Sequence, residues 1–525
     1  MNSKSILFGV ITAYMLALIP GFWVQDTSYL DKFSLWLMLC LALQFLISLR
    51  LTNGTTFPSI AVIIINFSIF IFPRSLEYLY IPQLVVFPLI ENVDKAVFNR
   101  GLLYFVAGNA LLLIGIHVGG AVLKKTTNSA LHNNSTAKSD IQKDLLPLSV
   151  IFVLSLGVLI LCQCLEGISV IGETSKTPYH LLVQVLCTLF SIDTVLVFVV
   201  AASVVSWKTI NKKEFACFWA ILALYLGATV YFGSRVGILR ILLATATAFL
   251  VSHANNNINL SKQKVYAMVM LLVLISCMAF ICYKTGSSNR NNIGIKSLEN
   301  NGIKNKISEN VIDKRIQETK KEKNKLNNLF FVFSSILNRL GTLDFAILTC
   351  SLNRSGLPVS AYGNLSYTLK SIANSVPGTP FPEAGLNTSQ VHDIVFSGRK
   401  EEDVKRGGYF SRPWTIWGLS TLFTESWCGY AALMAIFGFL MHALYWATIR
   451  IKNHYGTYIQ ILMLFVILPL IYFSMGVDHS IIVGIGIVVQ TLLIILLLEI
   501  ERKFRIYVFA NHQSHDSKGW SMRKG

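Results

Sequence analysis

The sequence predicts an all-α polytopic membrane protein with about twelve transmembrane helices. Of its 525 residues, 53% are hydrophobic and 14% are charged, and the mean hydropathy is +0.57. A soluble domain carries about 25% charged residues, so this chain lacks the polar side chains that would cover a soluble surface of its size. It also contains many apolar runs of about 18 residues or more, which is the length that crosses a bilayer.

Twelve apolar runs are predicted to cross the membrane, and the third of them is short enough to be re-entrant. They divide the chain into an N-terminal bundle of about nine helices (1–282), a large polar loop (283–413), C-terminal helices (414–500) and a tail (501–525). The runs are Ile6–Trp23, Phe33–Leu49, Ser59–Phe72, Gly101–Leu123, Leu146–Leu165, Leu181–Trp207, Phe215–Phe232, Val236–Ser252, Val265–Cys282, Leu419–Ile449, Thr457–Met475 and Ser480–Ile500.

The charges of the short loops predict that both termini are cytoplasmic. One alternate set of loops is rich in Lys and Arg, as cytoplasmic loops are, and the other set is poorer or acidic. Arg74, Lys95 and Arg100 are exceptions in the poorer set. The segment from Arg74 to Arg100 also carries Pro82 and Pro88 among aromatic residues. We expect it to be an amphipathic piece at the outer interface or an ordinary aromatic-belt loop.

The large loop lies on the side opposite the termini in this topology, and it is strongly basic. The formal net charge of the chain is +18, and residues 283–413 hold 19 Lys/Arg against 11 Asp/Glu. On a membrane protein such charge indicates cytoplasmic loops and an anionic ligand or lipid headgroup rather than nucleic acid. The Lys/Asn-rich run 300–328 is expected to be a solvated arm, whereas 337–413 is expected to fold as a lid.

Six arginines are candidate ligands for a phosphate group. Arg235 follows Gly233-Ser234 in a very short connection, so it is held at a helix end, where the next helix adds a positive dipole. A guanidinium group can also donate two parallel hydrogen bonds to two oxygens of one phosphate. Three alternatives stay open: headgroup contact for Arg235, a pair with Asp344 for Arg339, and a solvated basic loop for the arginines of the tail 399–412. The six are Arg235, Arg339, Arg354, Arg399, Arg406 and Arg412.

Two residues are candidates for a general base. Glu425 lies near the start of the apolar run Leu419–Ile449 and could accept a proton from a hydroxyl, or could instead pair with an arginine. His392 is of the usual type for a general base, or it is a surface histidine. Of the nine cysteines, Cys350 and Cys428 fall in or near the loop, and a disulfide between them is one option. Walker, HExxH, GxSxG and Asp-x-Asp motifs are absent from the sequence, so no metal or cofactor is expected.

Three patterns resemble the Wzy-type O-antigen or oligosaccharide repeat-unit polymerases, relatives of the O-antigen ligases. The first is GSRVGILRILL, similar to the family's Ser-Arg-Gly before an apolar helix, with Val236 where a glycine often follows. The second is a large, late loop with several arginines. The third is GYFSRPWTIWGLSTLFTESWCGYAALMAIFGFLM, similar to the return from that loop to a helix. The resemblance covers about Phe215 to Tyr445.

The resemblance implies a GT-C-like, metal-independent, inverting glycosyltransferase in the bacterial inner membrane, with its active site facing the periplasm. Its substrates would be glycans on undecaprenyl pyrophosphate, and its product an O-antigen or similar surface polysaccharide. The six arginines would bind pyrophosphate, and Glu425 or His392 would be the catalytic base. Candidate partners are membrane lipids, a chain-length regulator and a flippase. An O-antigen ligase and a lipid-linked glycan flippase or transporter are the alternatives.

Overall fold

The computed structural model describes the chain in separate stretches, which are almost entirely helical. They are 3–23, 30–51, 58–59, 62–63, 72–80, 95–127, 147–158, 195–196, 199–200, 220–225, 426–455, 489–501 and 503–504, with single residues 216, 227, 347, 350, 424 and 507. Within this part, three helices are long and apolar enough to cross a membrane: Lys32–Leu51, Lys95–Leu123 and Trp427–Ile449. This is consistent with an all-α membrane protein; the count of twelve spans stays a prediction.

The chain divides into two compact units. The first comprises Met1–Ser135, Asn292–Ile449 and Ile467–Ile482. The second comprises Thr136–Asn291 together with two C-terminal stretches, Arg450–Val466 and Val483–Gly525.

The first unit begins with an antiparallel helical hairpin. Helix α1 spans Ser3–Leu18 and continues as a short 3-10 helix, Ile19–Phe22, before α2, Lys32–Leu51. The rings of Phe22 and Trp36 meet edge to face at 5.4 Å, which joins the end of α1 to the start of α2. The first predicted run therefore corresponds to an α-helix that tightens in its last turn, where Pro20 lies.

Two further helices of this part of the chain are α3, Phe72–Tyr80, and α4, Lys95–Thr127. Helix α4 runs in the same direction as α2. Near their starts Ser34 contacts Asn99, and near their ends Ser48 contacts His117. Helix α4 begins at Lys95, six residues before the predicted run, and residues 95–100 form its first turns.

The last long helix of the described part, α5, spans Trp427–Tyr455 and packs tightly on α4. A methyl group at Gly115 would collide with the carbonyl oxygen of Ala435, and one at Gly438 would collide with that of Leu112. Small residues let membrane helices approach backbone to backbone, where dispersion contacts are densest. We call this contact the glycine seam.

Helix α5 also runs parallel to α4, because Tyr430 contacts Tyr104 whereas His442 contacts Gly119 further along. The N-terminal ends of α2, α4 and α5 therefore lie at one end of the unit. We call this the Asp31 end, formed by residue 31, the 3-10 helix, α3 and the first turns of the three helices. Since Thr424 and Ser426 are not helical, the predicted start of the α5 span at Leu419 is too early.

The second unit contributes shorter described pieces, including the apolar helix Pro147–Val158. Leu148 and Phe152 on this helix are completely buried, and the hydroxyl of Ser155 donates to the carbonyl of Ile151. That bond satisfies a buried hydroxyl within its own helix, as apolar surroundings require.

Candidate functional site

Helix α3 carries a buried ion pair at the Asp31 end. Arg74 Nη1 lies 3.0 Å from Glu77 Oε2, and the two side chains are only 3% and 5% exposed. The guanidinium also lies 5.3 Å from the centre of the Tyr78 ring, within the range of a cation–π contact. A buried charge is costly unless it is paired, and the spacing of three residues on a helix supplies the pair locally.

Two hydrogen bonds from α3 attach it to α1. The hydroxyls of Tyr14 and Ser75 lie 2.8 Å apart in the buried core, and the Tyr80 hydroxyl donates to the carbonyl of Ala17 at 2.6 Å. The charged residues of α3 therefore lie inside the protein. Residues 81–94 of the segment expected at the outer interface lie outside the described part of the chain, and the position of the segment in the membrane stays a prediction.

Asp31 is the centre of a second polar group at this end. Its Oδ1 accepts from the backbone N–H of Ser34 at 2.7 Å, as an N-cap of α2 does, and its Oδ2 accepts from the Asn99 amide at 2.6 Å. Partial burial raises the pKa of the carboxyl, but the hydrogen bonds from Ser34 and Asn99 and the charge of Lys95 outweigh it. The pKa of Asp31 is therefore lowered from its ordinary value of 3.8.

The Ser34 hydroxyl connects Asp31 to Asn99 in this polar group. It lies 2.8 Å from Asp31 Oδ1 and 2.6 Å from Asn99 Oδ1, and its single proton can be donated to either. Helices α2 and α4 are thus joined through side chains at their first turns.

Three aromatic rings join α4 to α5 at the same end. The rings of Tyr104 and Trp427 are stacked, with centroids 3.9 Å apart and planes 5° from parallel. Tyr430 meets both rings edge to face, and its buried hydroxyl donates to the carbonyl of Tyr104 at 2.8 Å. The Ser426 hydroxyl accepts from the backbone N–H of Gly429 at 3.1 Å and so caps the start of α5. Trp427 itself is 39% exposed.

Two residues of the long polar segment 283–413 are described, and both are buried at this end. Ile347 contacts Gly101 of α4 so closely that a methyl group there would collide with the Ile347 carbonyl oxygen. Cys350 lies beside Tyr430, and burial raises the pKa of its thiol, which keeps it protonated. Cys350 and Cys428 are both free thiols, so the option of a disulfide between them is wrong: Cys350 is buried whereas Cys428 is exposed.

A pair of histidines lies further along the same helices. His117 of α4 is 3.1 Å from the Ser48 hydroxyl of α2, and the ring of His442 on α5 packs against Gly120. His442 is 7% exposed, and its Nδ1 has no hydrogen-bond partner in the described part of the chain.

None of the eight site residues predicted from the sequence lies in the described part of the chain. Their roles stay predictions. The described residues nearest to them in sequence are Ser426, next to Glu425, and Cys350, four residues before Arg354. The eight are Arg235, Arg339, Arg354, Arg399, Arg406, Arg412, Glu425 and His392.

The polar residues of the Asp31 end were not among the predicted site residues. Two signals in the sequence point to them. Arg74 and Glu77 are three residues apart in FPRSLEYLY, which lets them pair on one helix face. Asp31 precedes the second apolar run with Ser34 three residues on, which is the spacing of an N-cap.

No family model, curated protein or solved structure matches this chain.

Proposed function

We propose that this protein polymerises undecaprenyl-pyrophosphate-linked oligosaccharide repeat units into O-antigen or a similar surface polysaccharide at the periplasmic face of the bacterial inner membrane. The observation that carries the proposal is the burial of Ile347 and Cys350 against the first turns of α4 and α5. Both residues belong to the arginine-bearing polar segment, so that segment is attached to the membrane unit at one end of its long helices.

This attachment supports a site for a lipid pyrophosphate. The headgroup of such a lipid lies at the membrane surface, where the ends of spanning helices also lie. Arg339 precedes Ile347 by eight residues, and Arg354 follows Cys350 by four. A segment anchored at these two residues supplies guanidiniums near the headgroup without needing a metal ion.

The transfer proceeds by inversion at one carbon. The bond between the anomeric carbon of the growing glycan and its pyrophosphate oxygen breaks, and a bond from that carbon to an acceptor hydroxyl oxygen forms. Glu425 or His392 takes the hydroxyl proton. Negative charge develops on the departing undecaprenyl pyrophosphate, and Arg235, Arg339 and Arg412, with Arg354, Arg399 and Arg406, stabilise it.

The test is a deletion strain complemented with single variants. We expect Arg235→Ala and Arg412→Ala to shorten the glycan and to lower the polymerisation rate about 10²-fold or more, the size of effect seen when a preorganised donor is removed. Arg315→Ala, in the Lys/Asn-rich arm, is the matched control and keeps the wild-type chain length. Protein amounts are compared by immunoblot.

The deletion phenotype decides between the proposal and its alternatives. Lipid A capped with a single repeat unit supports a polymerase. Polymer that stays on the undecaprenyl carrier contradicts it in favour of a ligase, and lipid-linked units retained in the cytoplasm contradict it in favour of a flippase. Wild-type chain length in both arginine variants overturns the pyrophosphate assignment.

A further inference from the structure

Two histidines, His117 of α4 and His442 of α5, lie in the halves of their helices that are farther from the Asp31 end. His442 comes fifteen residues after the start of α5, about 22 Å along the helix, and seven more residues of the apolar span follow it. His117 has the same kind of position in α4, six residues before its apolar span ends. An ionisable side chain within such a span is costly and is commonly functional.

Two glycines of α4 make the space that His442 occupies. The Cβ of His442 lies 3.0 Å from the position of a methyl group on Gly119, and its Cε1 lies 3.2 Å from that of a methyl group on Gly120. The side chain is buried, and Nδ1 has no hydrogen-bond partner in the described part of the chain. A phenylalanine ring would fill this space without an unpaired polar atom, so packing alone does not account for an imidazole here.

His117 lies on the same face of α4 as this space. It precedes Gly120 by three residues, and positions with that spacing are neighbours on a helix surface. Its Nε2 is 3.1 Å from the Ser48 hydroxyl of α2, and a charge on its ring acts on His442. Tyr445 meets the ring of His442 edge to face at 6.0 Å. His117 and Tyr445 are the ionisable neighbours of His442 that this part of the structure shows.

The three helices around this pair offer no carboxylate to a positive charge. Helices α2, α4 and α5 contain no Asp or Glu. Two protonated imidazoles would repel each other, so the pair can hold one proton more easily than two. A single buried imidazolium would still need water or a movement of the helices to stabilise it. The ends of the same helices add further positive charge through Arg50, Lys124, Lys125, Arg450 and Lys452.

We propose that His117 and His442 form a proton-binding site within the membrane, which takes up a single proton and thereby loosens the contact of α5 with α4 around Gly119 and Gly120. A neutral imidazole has one nitrogen lone pair that can accept the proton. The site makes the approach of the two helices depend on pH between about 5 and 8, where imidazole ordinarily changes its charge. This inference does not depend on the proposed function.

The first experiment follows the protonation of the rings directly. Protein labelled with ¹⁵N-histidine is placed in nanodiscs and titrated by solid-state NMR as wild type, His442→Phe, His117→Phe and His454→Gln. We expect one ring of the pair to change its protonation between about pH 5 and pH 8 in wild type. Removal of either histidine is expected to shift the titration midpoint of the other by about one pH unit. His454 lies on α5 beyond the apolar span, so His454→Gln is the matched control and leaves both midpoints unchanged.

The second experiment measures the contact of the two helices. Hydrogen exchange of peptides from the second half of α5 is compared at pH 8 and pH 5.5, after correction for the intrinsic effect of pH on exchange. We expect faster exchange at pH 5.5 in wild type and no such difference in His442→Phe. Gly120→Ala keeps both histidines but displaces the ring of His442, and it is expected to shift the titration midpoint as well. Gly9→Ala is its control, because a methyl group there meets nothing within 4 Å.

Three results overturn the proton site. They are neutral rings at every pH from 4 to 8, a midpoint of one histidine that is unchanged when the other is removed, and equal exchange of α5 at the two pH values. Neutral rings with Nδ1 of His442 bound to water would assign the pair to hydration alone and also overturn the proposal. If His442→Phe fails to fold, the wild-type titration and Gly120→Ala decide the matter. The chain-length test of the proposed function is independent of each of these outcomes.

Discussion

At the Asp31 end the helices are joined by polar and aromatic side chains, whereas along the glycine seam α4 and α5 meet backbone to backbone. Asp31, Ser34 and Asn99 connect the first turns of α2 and α4 by hydrogen bonds. At the seam, Gly115 and Gly438 leave no room for even a methyl group. The glycine seam sets the distance between α4 and α5. The side chains of the Asp31 end determine which chemical groups are available at that end of the unit.

The difference has a consequence for function. A backbone contact buries its residues completely and offers nothing to a ligand. The Asp31 end combines charged, hydroxyl and aromatic groups, and it is where Ile347 and Cys350 of the polar segment are buried. In a membrane protein, ionisable groups at such a position are costly and are commonly functional.

The largest effect is expected from the ion pair of α3. Arg74→Met leaves the carboxylate of Glu77 buried without its guanidinium, which costs about 3–5 kcal/mol in comparable buried pairs. The double variant Arg74→Met/Glu77→Leu removes both charges and is expected to recover most of that loss. Thermal unfolding in detergent, followed by the fluorescence of a thiol-reactive dye, measures both. Equal losses in the single and double variants would show that the pair itself is not the source of the cost.

The glycine seam is expected to be next in sensitivity. Gly115→Ala places a methyl group against the carbonyl oxygen of Ala435, and Gly438→Ala does the same at Leu112. Overpacking of this kind costs about 1–3 kcal/mol because the helices must move apart. Gly9→Ala is the matched control, since a methyl group on that helical glycine meets nothing within 4 Å. A seam variant that melts with the control would contradict the close approach of α4 and α5.

The positions of α2, α4 and α5 could be predicted from the sequence better than the contacts between these helices. The spans at Lys32–Leu51, Lys95–Leu123 and Trp427–Ile449 follow from hydropathy, which is a property of each run alone. The start of α5 was misplaced because residues 419–423 are as apolar as a helix, and the Ser426 cap is visible only as a local hydrogen bond. Boundaries set by capping are the part of a helix that composition describes least well.

The burial of α3 was missed for a different reason. A segment with one arginine, one glutamate and several aromatic residues has the composition of an interfacial piece, and also that of a buried helix whose charges pair. Tertiary contacts distinguish the two, such as that of Ser75 with Tyr14, sixty-one residues earlier. The parallel direction of α2, α4 and α5 is likewise a tertiary property, although the small residues Gly115 and Gly119 are a sequence signal for a close helix contact.

The smallest effect is expected at Asp31, and it depends on pH. Because the pKa of this carboxyl is lower in the folded protein than in the unfolded chain, its contribution to stability is fully present above about pH 5. The contribution falls as the pH drops through 3.8 and is lost once the folded carboxyl is protonated. Asp31→Ala, which also removes the N-cap of α2, is expected to cost about 1 kcal/mol at pH 7.

Melting curves of wild type and Asp31→Ala between pH 3 and pH 7 measure this contribution as a difference that shrinks toward acid. Asn99→Ala is a useful companion, because it leaves the N-cap bond between Asp31 and the Ser34 N–H in place and removes the two bonds that Asn99 of α4 makes with Asp31 and Ser34. It is expected to lose less stability than Asp31→Ala and to keep part of the pH dependence. A difference between wild type and Asp31→Ala that stays constant down to pH 3 would mean that the charge of Asp31 contributes nothing. The helices would then be joined at this end by the aromatic group and the neutral hydrogen bonds alone.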